Sequence, residues 1–218
     1  MKFDVLVCTP TSGMCRASFA FSLAKMAMYF NQVPIYPGLK EQSMEFLFWE
    51  GTGVSHNREK MVRRLLEGDY THILFIDDDM GFNPNVLHIL AGRRQPIVGC
   101  NYRIRTPPAE FMAVGHDSER VATTKDSTGI QDVMYIGFGF CLIDKQVFEQ
   151  VPEPRFLPQF VKKPEDKYGI YTTEDVVFFV NQPYPVYVDH DASKLIWHSG
   201  NVSYTWADDF SNINKLIK

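Results

Sequence analysis

Along the first half of the chain, short apolar runs alternate with stretches whose apolar residues recur at helical spacing. "FDVLVCTP" (3–10) is an apolar run ended by Pro10 and reads as a strand. "CRASFAFSLAKMAMYF" (15–30) follows with Ala, Leu, Met and Phe at helical spacing. "VPIYPGL" (33–39), with two prolines and a glycine, predicts a turn or irregular connection. "MEFLFWE" (44–50) is a second strand. "SHNREKMVRRLLEG" (55–68) predicts a helix: Ser55 can cap it, Met61, Val62, Leu65 and Leu66 form its apolar face, and Gly68 stops it. "YTHILFI" (70–76) is a buried strand. "NPNVLHILAG" (83–92) is a short helix with Pro84 near its start and Gly92 at its end, and "QPIVGCNY" (95–102) is a further strand. The order β-α-β-α-β-α-β predicts an α/β sheet that is largely parallel, with helices on both sides.

The second half has another character. Residues 111–151 predict shorter strands, then a strand at "FCLI" (140–143) and a helix from Asp144. Residues 152–175 are rich in Pro and charge and predict a long surface loop, whose 152–173 stretch is placed to act as a lid. "TEDVVFFVNQ" (173–182) resumes helical spacing, and "YPVYVDHD" (184–191) and "SKLIWHSG" (193–200) are two closing strands. No repeat or Gly/Ser-rich linker divides the chain. The expectation is one domain over 1–218, with a nucleotide-type half (1–105) and a more variable half (106–218).

Composition changes this picture little. Hydrophobic residues make up 45% and charged residues 22%, a globular balance. No apolar run has the length of a membrane span, and the N-terminus lacks a signal peptide's apolar region, so a cytoplasmic protein is expected. A net charge of −4 gives no overall attraction to DNA or anionic lipid. A local basic patch at Arg93, Arg94, Arg103 and Arg105 keeps DNA open as a partner. The four cysteines form no CxxC pair, and Cys8, Cys100 and Cys141 sit in apolar runs, so buried reduced thiols are expected.

The feature that calls for chemistry is "THILFIDDDM" (71–80), in which a core strand runs into Asp77, Asp78 and Asp79. One aspartate can cap the following helix. Three adjacent carboxylates repel each other, and nothing basic lies beside them in sequence. A hard divalent cation relieves that repulsion. In an extended chain Asp77 and Asp79 share a side, with Cα atoms about 7 Å apart, and Asp78 points the other way. The carboxyl end of such a strand is also where open α/β sheets bind ligands.

An apolar strand ending in "DDD" resembles the DxD motif of GT-A fold glycosyltransferases, and other features follow in that family's order. They are the polar, Pro-containing turn "CTPTSG" (8–13), the helix with an early Arg at 55–66, "GFGFCLIDKQVFE" (137–149), the acidic pair of "TTEDVVFF" (172–179) and the late "LIWHSG" (195–200). The flavour is that of small phage and bacterial family-2-like enzymes, and the resemblance spans roughly residues 3–200. It implies a Rossmann-like GT-A domain that moves a sugar, as a hexosyltransferase does, from a nucleotide-sugar donor (a UDP-sugar first) to a hydroxyl acceptor. The acceptor is a polysaccharide, a protein or a hydroxymethylated DNA base, and the location is the host cytoplasm if the chain is phage-encoded. The metal ligands become Asp77, Asp79 and His198, with Mn²⁺ ahead of Mg²⁺ because imidazole suits Mn²⁺ better. Asp77 either shares the metal or binds ribose. The acceptor's proton goes to Asp175, with Glu174 close behind, in an inverting reaction. Thr9, Pro10, Thr11, Arg58, Asp77 and Asp78 are placed along the nucleotide, with Glu50 near the base or ribose. Gly137 and Gly139 allow close approach of backbone to the sugar.

The residues considered alone also admit a nucleotidyltransferase, a metal-dependent phosphohydrolase or a non-catalytic binding module. No glycine-rich loop with a basic residue follows the first strand, as the first would need. The first strand offers Thr and Pro rather than the His and Asp ligands of the second. The acidic triplet, acidic pair and late histidine together argue against the third.

Overall fold

A computed structural model describes residues 2–51, 53–104, 109–161, 169–199 and 203–207. The first half follows the expected alternation: β1 (Lys2–Thr11), α1 (Ala17–Gln32), β2 (Glu41–Glu50), α2 (Val54–Glu67), β3 (His72–Ile76), β4 (Met80–Phe82), α3 (Val86–Gly92) and β5 (Ile97–Gly99). The second half supplies β6 (Ile130–Val133), β7 (Phe140–Asp144), α4 (Lys145–Gln150), β8 (Phe160–Val161), β9 (Ile170–Tyr171) and α5 (Glu174–Asn181). It closes with β10 (Val186–Asp189), α6 (His190–Ser193), β11 (Ile196–Ser199) and β12 (Ser203–Tyr204).

Seven strands from both halves form one mixed sheet in the order β2-β1-β3-β7-β5-β10-β6. β1 pairs in parallel with β2 and β3, and β5 with β10; β7 runs antiparallel between β3 and β5, and β6 antiparallel on β10. Five strands therefore share a direction, as expected of a largely parallel sheet, and β7 and β6 run against them. A buried run such as "FCLI" is equally apolar in either direction, so its reversal leaves no trace in the pattern. Along β1 alternate residues face opposite sides. Phe3, Val5 and Val7 pack with Phe19 and Met26 of α1 and Leu87 and Leu90 of α3. Leu6 and Cys8 pack with Met61 and Leu65 of α2, Phe148 of α4 and Phe178 of α5. Helices thus cover both faces, as expected.

Other expectations shift. α2 begins at Val54 behind Gly53, so Ser55 lies within its first turn rather than capping it. β11 leaves the main sheet and pairs with β4, a strand too short to be read from the sequence, and with β12. The 152–173 connection is held at its base: Phe156 is buried, and Arg155 donates to Glu59 from Nη1 at 2.5 Å and from its backbone N–H at 2.9 Å. Beyond that base β8 and β9 form a hairpin, while residues 162–168 of the expected lid lie outside the described residues. Cys8, Cys100 and Cys141 are buried free thiols whose pKa values burial pushes up. Among the described residues no helix is long and apolar enough to cross a membrane.

The expected basic patch is dispersed. Arg93 binds Asp189 and Asp191, each at 2.7 Å; Arg94 lies over the Tyr36 ring; Arg103 donates to the Ala109 carbonyl; and Arg105 lies outside the described residues.

Two glycines test the packing of this sheet. A Cβ on Gly99 would come within 2.6 Å of Ile136 Cδ1 and 2.9 Å of the Phe140 carbonyl oxygen, whereas one on Gly92 meets nothing within 4 Å. Gly99→Ala is expected to cost about 1–3 kcal/mol, and Gly92→Ala, at the end of α3, to be neutral or to stabilise by about 0.5–1 kcal/mol. Urea unfolding of the two variants checks both signs.

Candidate functional site

A cleft of about 350 Å³ opens at the carboxyl ends of β1 and β3. Pro10, Thr11 and Ser12 line one side; Gly51, Val54, Asn57 and Arg58 close another; Asp77, Asp78 and Asp79 form the floor with Glu174 and His198. The acidic triplet does not continue the strand. The Met80 N–H donates to the Asp77 carbonyl at 3.1 Å, closing a turn. The Arg16 N–H holds the Asp78 carbonyl at 3.1 Å, and the Ser199 N–H holds that of Asp79 at 2.8 Å. The extended-chain picture, with Asp77 and Asp79 side by side, is thereby replaced: the turn directs them to different partners.

Asp79 meets His198, whose Nε2 lies 3.3 Å from Oδ2. The small sheet makes this contact, since His198 stands opposite Met80 in the β11–β4 register. His198 Nδ1 is 2.8 Å from the Arg103 carbonyl, which can only accept, so Nδ1 carries the proton. Nε2 is then the nitrogen offered to Asp79. Beside it stands Tyr102, edge-on to His198 with ring centroids 5.4 Å apart. The Tyr102 hydroxyl accepts from the Gly139 N–H at 3.1 Å, and the Gly139 carbonyl accepts from the Asp77 N–H at 3.2 Å.

Asp77 instead binds Arg58, which is buried and donates from Nη2 to Asp77 Oδ1 at 2.8 Å and from Nη1 to Glu174 Oε1. The guanidinium lies 4.7 Å from the centre of the Phe138 ring, a cation–π contact in a desolvated setting. Burial at the base of the cleft pushes the Asp77 carboxyl up; Arg58 opposes this and Asp79 adds to it. Among the described residues no group of three His, Cys, Asp or Glu side chains is arranged to hold one metal ion. Of the three ligands expected, Asp79 and His198 are brought together and Asp77 is turned to Arg58.

The acidic pair of α5 is divided too. Thr173 is the N-cap of the helix, but its hydroxyl donates to Asp175 Oδ1 rather than accepting from the backbone. Asp175 also accepts the Val176 N–H at 2.9 Å and is buried. Burial pushes its pKa up. Glu174, the second choice as base, is the residue that lines the cleft. Gly137 and Gly139 do not line it: a Cβ would stand 2.2 Å from the Tyr102 hydroxyl at Gly137 and 2.6 Å from the Tyr102 ring at Gly139. Their missing side chains make room for Tyr102, not for a sugar. Thr9 is buried within β1 and also lies off the cleft. Glu50 packs beneath Gly13, where φ is +101° and a Cβ would sit 2.9 Å from its carboxylate. Ser12 and Asn57 were not expected in the cleft. Asn57 Nδ2 donates to the Trp49 carbonyl at 3.2 Å, which ties α2 to the end of β2. The Gly-rich "EGTGV" (50–54) was the available signal for a break in regular structure just before Asn57.

Removing Arg58 would leave Asp77 and Glu174 facing each other without their cation. Arg58→Ala is expected to destabilise by about 3 kcal/mol, and Arg58→Lys to restore only part, since an ammonium cannot fork between two carboxylates. Urea titration measures both. Asp175 gives a second test. With its folded pKa above the unfolded value, the stability it contributes is full below about pH 4 and is lost as pH rises through the folded pKa. Asp175→Asn, which keeps an acceptor for Val176, should therefore melt above wild type at pH 8, with the gain vanishing below about pH 4.

No protein-family model matches the chain, and no curated protein matches it by sequence. Among solved structures, the crystal structure of A197 from STIV is similar, with a TM-score of 0.62 over 96% of this chain and 97% of that one, at 19% identity. A likeness at that identity speaks for the fold alone: a mixed α/β architecture is shared along nearly the whole length of both chains.

Proposed function

We propose that this chain is a metal-dependent glycosyltransferase of GT-A type, moving a sugar from a nucleotide-sugar donor to a hydroxyl acceptor. The observation that carries the reading is the Asp79–His198 pair in the strand-end cleft. A carboxylate oxygen and an imidazole nitrogen stand 3.3 Å apart, close to the separation of two adjacent ligands on one small cation. The histidine's other nitrogen is held by a backbone carbonyl, the outer support that metal-binding imidazoles usually have. Two protein ligands leave the remaining positions to phosphate oxygens and water, the habit of Mn²⁺ and Mg²⁺ in phosphate chemistry. Bound there, the ion would neutralise the departing nucleoside diphosphate.

The chain's own residues fit the other tasks. Pro10, Thr11, Ser12 and Asn57 offer backbone and side-chain polar groups along the wall where a nucleoside would lie. Asp77, with a third of its side chain exposed, accepts from a ribose hydroxyl while Arg58 fixes its orientation. Glu174 takes the acceptor's proton, because its carboxylate and not that of Asp175 opens to the cleft. Arg58 holds that carboxylate in place from below.

Thermal unfolding with UDP, GDP, CDP or dTDP, each with and without Mn²⁺, tests the proposal. At ligand about a hundredfold above Kd, one nucleotide with Mn²⁺ should raise Tm by roughly 5–10 °C, and neither component alone should do so. Asp79→Asn and His198→Ala should each abolish the joint rise. A rise indifferent to metal, or unchanged in both variants, would sink the reading.

A further inference from the structure

At the other end of β1, about 30 Å from the cleft by strand length, a second cavity of about 260 Å³ opens beneath Lys2. Its walls are aromatic. Phe3 meets Tyr36 edge-on at 5.9 Å and lies over His72 at 4.6 Å with the rings tilted by 31°. Leu90 and Leu142 form an apolar floor. The Tyr36 hydroxyl donates to the Ala91 carbonyl at 3.0 Å, which fixes that ring. Burial lowers the pKa of His72, against the opposing pull of Asp144.

Arg94 stands at the rim, its guanidinium 5.1 Å from the centre of the Tyr36 ring. Its backbone φ is +53°, in the left-handed region where glycine ends helices most easily. Its N–H donates to the Ala91 carbonyl at 3.0 Å and closes α3. The neighbouring Arg93 is committed to Asp189 and Asp191, but among the described residues the Arg94 guanidinium makes no hydrogen bond or ion pair. A charged side chain thus stands at a backbone position that favours glycine, in the lining of a cavity. Asp144 and Gln146 provide acceptor and amide groups elsewhere on the rim, Asp144 already accepting the Gln146 N–H at 3.0 Å.

We infer that this cavity binds a small planar aromatic anion: its ring packs against Tyr36 and His72, its carboxylate or phosphate meets Arg94, and an N–H or O–H at its far end meets Asp144. An apolar enclosure with a few convergent polar groups is the usual form of a ligand site, and the volume lies below the drug-sized range. The site is remote from the acidic cleft and stands whether or not the cleft transfers sugars.

Amide NMR of the full chain, titrated with 4-hydroxybenzoate and separately with adenosine 5′-monophosphate, tests the inference. Saturable shifts are expected at Phe3, Leu90, Gln95 and Gln146, with Asp77 and Asp79 unmoved. The neutral counterparts, 4-hydroxybenzamide and adenosine, should bind roughly tenfold more weakly or worse. A response to one anion alone identifies its source as aromatic acid or nucleotide. Arg94→Gly should lose binding by the same factor while melting no lower than wild type, because relief of the left-handed backbone offsets the lost ring contact. Silence of these amides toward both anions up to about 5 mM, shifts confined to the cleft, or undiminished binding by Arg94→Gly would overturn it.

Discussion

Carboxylates gathered at the end of a core strand repel one another, and the arrangement of this cleft follows from how they are turned apart and held. Five acidic residues approach one another there: Asp77, Asp78 and Asp79 from the strand end, Glu174 and Asp175 from α5. The turn closed between Asp77 and Met80 separates the first three instead of stacking them. Arg58 then reaches two of the five at once, Asp77 and Glu174, and His198 faces a third. Fully buried on Phe138, the guanidinium is poorly solvated, which strengthens its attraction for both carboxylates. An arginine suits this place because it is always charged and its fork spans two carboxylates.

Much of this was legible because alternation and charge are local properties. The strand that ends in aspartates, the helices on either side of the sheet and the acidic start of α5 each declare themselves within a few residues. The relations between distant segments did not. The reversal of β7 leaves the pattern of its apolar residues unchanged, and β4 is only three residues long. Yet β4 is what brings β11, and with it His198, to Asp79. The pairing of Arg58 with two acids, one of them 116 residues away, is a tertiary fact that no window on the chain contains.

The glycines of "GFGF" show the same limit in another form. Glycine at 137 and 139 invited a reading in which backbone approaches a ligand. The space is taken by Tyr102 instead, whose ring stands beside His198 and whose hydroxyl accepts from Gly139. The Gly139 carbonyl in turn accepts from Asp77. The three residues act on the cleft through its walls: they set where the acidic turn and the imidazole stand, without touching whatever binds there.

α2 is the element that ties the cleft to the long connection before α5. Arg58 points into the cleft and holds Glu174, while its neighbour Glu59 accepts both the backbone and the side chain of Arg155. One turn on, Arg63 binds Glu153 through two nitrogens, at 2.9 and 2.6 Å. The exposed Arg63–Glu153 pair is worth little, but the Arg155–Glu59 pair is buried and costly to break from one side. Phe156 adds its ring to Phe138 and Phe178, at centroid distances of 5.6 and 5.3 Å, so the base of the connection shares a core with the wall on which Arg58 lies. A displacement of that base therefore has to pass through α2 or through this aromatic cluster, and either route ends at the guanidinium that separates the two sides of the cleft.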